Sequence, residues 1–251
     1  TCTIINGNLN ITNGVDITNV NGFSNILEIA NQLNIVNNEL LNDLSGFSNL
    51  IKVTSNFWIA GNKTLKQIKE FTKLTFAGQL YFGSNDQLVE ISGFQKLVAL
   101  PDLTIENNNA LTLINFNSNV NLTDRFMTFK NNPNLQKIQS IGIKLWVSNT
   151  VTFENNPNLT DLTAFNNISL LGELIINNNA NLTNLNSFAK VTNLNGSIQL
   201  INNSKLSDIT GLSNVLPGSI KGSGLIITNN PILTLCNLPN FCTYLQGSGA
   251  R

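Results

Sequence analysis

Residues 151–159 read VTFENNPNL, which is the pattern apolar-x-apolar-x-x-Asn-x-x-apolar. The pattern recurs along the whole chain, and its ten copies open at Leu9, Leu33, Phe57, Leu80, Leu103, Met127, Val151, Leu174, Ile198 and Leu225. Successive copies start 23 or 24 residues apart, except for the last two, which start 27 apart. A fixed period of this length is typical of architectures in which each repeat stacks on the one before it.

The apolar spacing inside each repeat predicts the shape of one turn. Apolar and other residues alternate at the opening, which predicts a short β-strand. Beyond the asparagine, apolar residues come every third position, as at Leu159, Leu162 and Phe165. Neither a helix of 3.6 residues per turn nor a long strand sustains a spacing of three. We therefore predict an all-β fold, a single parallel β-solenoid of about ten leucine-rich rungs stacked about 4.8 Å apart.

This solenoid is expected to fill residues 1–251 as one domain. An N-terminal cap is predicted at residues 1–8, the ten rungs at 9–235 and a cysteine-containing C-terminal cap at 236–251. Caps are expected because the first and last rungs would otherwise expose apolar faces and unpaired strand edges.

Asparagine is the most unusual feature of the composition, with 47 among 251 residues. Nine of the ten repeats carry it five residues after their start, and Gly14 takes its place in the first: Asn38, Asn62, Asn85, Asn108, Asn132, Asn156, Asn179, Asn203 and Asn230. An inward amide has donors and acceptors that can satisfy backbone groups at a corner, and identical amides on successive rungs can bond one another. We predict a structural asparagine ladder. The preceding position is also rich in asparagine, which tolerates the left-handed backbone of a tight corner.

The composition argues against several classes of function. Fourteen basic and fourteen acidic residues give a net charge of zero, so no global field attracts nucleic acid. The chain has no histidine, so it cannot assemble a Ser/His or Cys/His nucleophile by itself. No apolar run is long enough to span a bilayer. We predict no catalytic residue, no metal site and no cofactor.

The three cysteines lie at the two ends of the chain, at Cys2, Cys236 and Cys242. Cys236 and Cys242 are close enough in sequence to close one small loop, and we predict a disulfide between them, which suits an oxidising, extracellular setting. Their spacing fits no zinc signature.

These residues resemble a known family. The opening residues 2–11, CTIINGNLNI, are similar to the start of receptor L domains, the leucine-rich solenoids of insulin-receptor and epidermal-growth-factor-receptor ectodomains. The repeated Asn-Asn-Pro-x-Leu at 131–135, 155–159 and 229–233 is typical of the same domains, and residues 235–245 resemble the cysteine-bearing end cap of secreted bacterial members. The resemblance implies the solenoid fold and a binding role, since the family binds hormones, partner receptors and cell-wall components on one scaffold.

We therefore expect a non-catalytic extracellular or cell-surface module for recognition or adhesion, either a monomer or part of a longer surface protein. Its partner would be a protein or glycan bound on the exposed sheet. The residue after each rung start should point outward, and this column contains Trp58, Tyr81, Thr104, Thr128 and Thr152. Tyr and Trp offer rigid contact area with a polar tip. The alternative is that the two aromatic residues form a cross-strand pair that only stabilises the sheet.

Two other functions remain open from the sequence. One is a polysaccharide-degrading β-solenoid enzyme, for which the outward cluster Glu106, Lys130 and Glu154 would supply the charges, although the same residues suit cross-strand pairing. The other is an ice- or crystal-surface-binding protein, prompted by the low charge and the three threonines.

The repeat is also irregular before the last rung. The segment 216–224 has three extra residues and contains three glycines. Insertions in a solenoid map to loops on one face and are possible binding edges, although drift between repeats would also explain this one.

Overall fold

The computed structural model of the protein describes residues 2–98, 102–116, 126–139, 146–234 and 237–247, with the backbone alone at 146–149. The strands are β1 Ile4–Ile5, β2 Leu9–Thr12, β3 Glu28–Ile29, β4 Leu33–Val36, β5 Lys52–Ala60, β6 Gln67–Ile68, β7 Phe76–Gly83, β8 Glu90–Ser92, β9 Leu103–Glu106, β10 Leu113–Asn115, β11 Met127–Lys130, β12 Lys137–Gln139, β13 Trp146–Glu154, β14 Leu170–Asn177, β15 Asn193–Leu194, β16 Ile198–Ile201 and β17 Leu225–Thr228. The 3-10 helices are Asn21–Phe23, Ser45–Phe47, Thr163–Phe165, Asn186–Phe188, Thr210–Leu212 and Pro217–Ser219, and one α-helix, α1, covers Pro239–Gln246.

The largest sheet is parallel and contains the start of every predicted rung. Leu9 pairs with Leu33 at one end and Ile198 with Leu225 at the other, and each rung start between them pairs with the next. The alternating burial of β9, β11 and β16 follows the alternation in the sequence. The predicted parallel β-solenoid is confirmed.

The every-third-residue spacing corresponds to two kinds of short element. In the middle of the stack, β6, β8, β10 and β12 form a second, four-stranded parallel sheet. In rungs nearer the ends, 3-10 helices such as Ser45–Phe47 and Thr210–Leu212 follow the corresponding position. A 3-10 helix has three residues per turn, so residues i and i+3 lie on the same side. Both elements turn one apolar side chain inward at each corner.

The core is a set of continuous apolar columns. Phe47, Phe71 and Phe94 are fully buried, and their rings stack at centroid distances of 6.3 and 5.7 Å. Phe47 and Phe71 each remove a large apolar area from water and also contact the equivalent ring of the next rung. The hydrophobic free energy of the fold therefore increases with every added rung.

A row of buried asparagines runs parallel to the apolar columns. Asn132 is fully buried, and its Nδ2 donates to the Ile105 carbonyl at 3.0 Å. Its Oδ1 accepts from the backbone N–H of Asn108 at 3.1 Å, and its own N–H donates to the Oδ1 of Asn156 at 3.1 Å. The same contacts recur along the row. Each amide thus satisfies corner backbone groups of its own rung and its neighbours.

A second row of asparagines sits one position earlier with a left-handed backbone. Positive φ angles of 54–59° occur at Asn13, Asn37, Asn107, Asn131, Asn155, Asn178, Asn202 and Asn229. Ser84, with φ 54°, and Gly61, with φ 66°, fill the same position in the other two rungs. Side chains in this outer row also bond between rungs, as when Asn155 Nδ2 donates to Asn131 Oδ1 at 2.7 Å.

The C-terminal end departs from the predicted all-β chain because it contains α1. Pro239 suits the first turn of a helix, where its missing N–H has no partner to lose. Phe241 and Tyr244 are one turn apart and both are buried, and Asn240 Nδ2 donates to the carbonyls of Leu212 and Val215 at 2.9 Å. The protein is therefore nearly all-β, with a helix packed at the end of the stack.

The predicted Cys236–Cys242 disulfide falls partly outside the described residues, which themselves contain no disulfide. Cys242 is an exposed free thiol on α1, Cys2 is an exposed free thiol at the other end, and Cys236 lies outside the described residues. The pairing stays a prediction.

The inner asparagine row makes a direct prediction for stability. Replacing Asn132 with Leu leaves the Asn108 N–H and the Ile105 carbonyl without this partner, at about 1–3 kcal/mol for each unpaired group. The exposed Asn10 is the matched control, because Asn10→Leu removes only an exposed contact to Asn34 Nδ2. Urea unfolding of both variants measures the difference, and equal losses would contradict the role assigned to the buried amide.

The outer row predicts a stabilising substitution at Ser84. A left-handed backbone is strained for serine, and asparagine accepts it more readily because its short amide bonds locally. Ser84→Asn should raise the free energy of unfolding by up to about 1 kcal/mol, and it also provides an acceptor beside Asn107. Ser84→Ala keeps the strain and adds no amide, so thermal melts should show a gain for Asn alone. An equal gain for Ala would refute the argument.

Candidate functional site

The outward column of the main sheet is the candidate site, and the strand register forms it. Pairing places Asn34 opposite Trp58, Trp58 opposite Tyr81, and Tyr81 opposite Thr104. The row continues through Thr128 and Thr152. Residues 23 or 24 apart in sequence thus become neighbours on one face.

Trp58 and Tyr81 form the aromatic part of this column. Their ring centroids are 5.6 Å apart with an interplanar angle of 52°, a tilted contact. Trp58 is 38% exposed, whereas Tyr81 is half-buried. The pair therefore presents the tryptophan ring to solvent beside a tyrosine on the adjacent strand.

Tyr81 does not project straight from the sheet but lies along its own strand over Gly83. A Cβ atom at position 83 would stand 2.5 Å from Tyr81 Oη and 2.7 Å from Cζ, so only glycine leaves room for the ring. The hydroxyl then donates to Glu106 Oε1 on the next rung at 2.9 Å. The sequence analysis did not predict this arrangement. The glycine two residues after an outward aromatic residue could have indicated it, because the absence of a Cβ leaves space for the ring.

The environment of Tyr81 changes its acidity. Burial and the adjacent Glu106 carboxylate together raise the pKa of Tyr81 to about 12, with burial as the larger cause. Both causes act against the phenolate, because it would lose hydration and face a like charge. Tyr81 is therefore a neutral hydrogen-bond donor across the physiological pH range.

Charged residues beside the column are already engaged with neighbours. Glu106 accepts the Tyr81 hydroxyl, and Lys130 Nζ lies 3.0 Å from Glu154 Oε2. Lys130 pairs in register with both Glu106 and Glu154 on adjacent strands. This geometry agrees with cross-strand pairing, which contributes a few tenths of a kcal/mol at a surface.

Thr104, Thr128 and Thr152 continue the column as three half-buried side chains in register. Phe126 adds an apolar group that sequence analysis did not identify. It comes directly before β11 and is 51% exposed, and its backbone N–H donates to Asp102 Oδ1 at 3.1 Å. The face therefore combines aromatic rings and hydroxyls with few free charges.

Within the described ranges, no group of three or more His, Cys, Asp or Glu side chains is arranged to hold a metal ion. Over the same residues, no helix has the length and apolar character needed to cross a membrane.

The raised pKa predicts how Tyr81 responds to the loss of its neighbour. Glu106→Gln removes the negative charge and keeps an acceptor, so the pKa of Tyr81 should fall from about 12 but stay above the ordinary 10 because burial remains. Because the folded protein holds the Tyr81 proton more tightly than the unfolded chain does, the protonated tyrosine contributes to stability. In the unaltered protein that contribution is fully present below pH 10 and is lost as the pH rises toward 12. Ultraviolet titration of tyrosinate, with Tyr81→Phe to identify the signal, measures the shift; an unchanged pKa would contradict the assigned contact.

Comparison with known proteins finds one family that part of the chain resembles. Residues 1–92 match the family model described as Receptor L domain. Neither the curated proteins nor the solved structures contain a significant match. Receptor L domains are generally non-enzymatic binding modules, typically extracellular. The matched residues cover the first four rung starts, and the same strand register continues to Leu225. The described chain is therefore a β-solenoid whose residues 1–92 are similar to a receptor L domain.

Proposed function

We propose that this protein is a non-catalytic extracellular or cell-surface module for recognition or adhesion, which binds a protein or glycan on the outward face of its main sheet. The observation that carries the proposal is the contact between Trp58 and Tyr81 on adjacent strands, with the tryptophan ring open to solvent. Large aromatic side chains held rigidly at a surface are typical hot spots for binding.

The surroundings of the pair suit a ligand that stacks and hydrogen-bonds. Trp58 supplies an exposed ring, and Thr104, Thr128 and Thr152 supply hydroxyls in one row. Because the nearby Lys130 and Glu154 neutralise each other, a neutral ligand would lose little on approach. Tyr81 is held in place by Gly83 and Glu106, which lowers the entropy lost on binding.

A second function is favoured by one observation, the register of the three threonines. Thr104, Thr128 and Thr152 form a short regular ladder, and a regular ladder could match the spacing of a crystal surface. An ice-recrystallisation assay separates this function from protein or glycan binding. Inhibition that Thr128→Lys abolishes and Trp58→Ala leaves intact would favour the crystal-surface function.

The binding proposal predicts the effect of Trp58→Ala. Screening glycan arrays and intact cell surfaces supplies a ligand, and biolayer interferometry then gives its affinity. Loss of a central aromatic contact should weaken binding by at least about tenfold while the melting temperature changes little, because the ring is partly exposed. Ile175→Ala, in the same column five rungs away, is the matched control. Unaltered binding by the Trp58 variant would place the site elsewhere.

The extracellular proposal predicts the redox state of the cysteines. Protein made in an oxidising compartment should contain one disulfide between Cys236 and Cys242, with Cys2 left as a free thiol. Intact mass after alkylation, with and without reduction, counts the thiols. Three alkylated cysteines in the unreduced protein would contradict the disulfide and weaken the extracellular assignment.

A further inference from the structure

A cavity of about 750 Å³ lies beside the last rungs, away from the Trp58 column. It is bounded by the start of β14 at Leu170 and Leu171, by β15, and by the irregular segment that begins at Leu216. We call it the Leu216 groove. Its volume is within the range of about 300–1,000 Å³ that is usual for small-molecule sites.

The groove exists because a strand is interrupted. Leu170 and Leu171 pair with Asn193 and Leu194 on the next rung. The Leu216 N–H donates to the Thr192 carbonyl at 2.8 Å, so the segment that follows β15 in the stack begins the same hydrogen-bond ladder. The next residue, Pro217, has no N–H to donate and opens a 3-10 helix instead of a strand.

The interrupted ladder is completed by a side chain. The Leu194 N–H donates to Ser219 Oγ at 3.0 Å, where a regular rung would offer a backbone carbonyl. Ser219 Oγ in turn donates to the Leu216 carbonyl, and the Lys221 N–H rejoins the stack at the Gly196 carbonyl at 2.8 Å. Two of these bonds join the segment to the preceding rung and the third lies within the segment, so together they fix its position beside the groove.

The lining of the groove is mostly apolar and carries one positive charge. Leu170, Leu216 and Pro217 make its accessible surface apolar, and Leu216 is 53% exposed. Leu171 and Leu194 lie behind them in the core. Lys221 is the charged residue among those that line the groove.

The Lys221 ammonium is only partly engaged by its neighbour. Its Nζ donates to Asn195 Oδ1 at 3.0 Å, and an ammonium has two further donors. Because the acceptor is a neutral amide, the positive charge is not cancelled at this contact.

We propose that the Leu216 groove binds a small amphipathic anion, with its apolar part against the leucines and its carboxylate on Lys221. The positive charge of Lys221 favours a negatively charged ligand group, and the apolar lining favours an apolar remainder of the ligand. This site is independent of the proposed role of Trp58 and Tyr81, so either can fail without the other.

Calorimetric titration of the intact protein with decanoate, below its micelle concentration, and with decan-1-ol tests the proposal. Decanoate should bind with one-to-one stoichiometry and more tightly than the alcohol. Lys221→Gln should weaken decanoate binding by about tenfold, as expected for a lost charge-assisted hydrogen bond, and leave decan-1-ol unchanged. Leu216→Glu should weaken both ligands, because it places a carboxylate in the apolar part of the groove.

Two matched controls lie outside the groove. Lys205 makes the same kind of contact to Asn181 Oδ1, at 2.8 Å, and Val89 is a similarly exposed apolar residue. Lys205→Gln and Val89→Glu should leave both affinities unchanged. The proposal is overturned if decanoate does not bind, or if Lys221→Gln has no more effect than Lys205→Gln. Lys221 is exposed, so its variant decides the outcome even if Leu216→Glu fails to fold.

Discussion

The buried asparagine ladder is the interaction on which the rest of the structure depends. A chain that turns a corner inside a stack directs backbone N–H and carbonyl groups toward the interior, where unpaired groups are expensive. The amide of Asn132 bonds two backbone groups of the previous rung. Its Nδ2 donates to the Ile105 carbonyl, and its Oδ1 accepts from the Asn108 N–H. Because each amide contacts two rungs, it fixes their relative position as well as the corner itself. In the first rung Gly14 has no amide, but its N–H donates to Asn38 Oδ1 just as the corresponding N–H of each later rung donates to the next asparagine.

A fixed register has consequences for the surface. Sheet side chains alternate between faces, so a slip of one residue would exchange the buried and outward sets. The ladder and the apolar columns prevent that slip together, and they bring Trp58, Tyr81 and Thr104 into one row. The surface can therefore vary in sequence while the spacing between its side chains stays the same. One scaffold of this kind can therefore carry different surfaces.

Departures from the repeat also shape the surface. Gly83 replaces a residue with a Cβ and lets Tyr81 lie flat against its strand toward Glu106. Pro217 stops a strand and, with Ser219, creates the groove beside Leu194. In both places a single backbone property, the absence of a Cβ or of an N–H, changes where several other side chains can be.

The sequence by itself determined the period, the strand at each rung start, the inward asparagine column and the outward position of Trp58 and Tyr81. It could do so because these features depend on local alternation and on a repeat that is read position by position. Only the tertiary structure decided the direction of the Tyr81 ring, the engagement of Glu106, the helix over residues 239–246 and the groove beside Leu216. Those features depend on which atoms meet across rungs. A contact of that kind is set by packing between residues far apart in the chain, which no local pattern records.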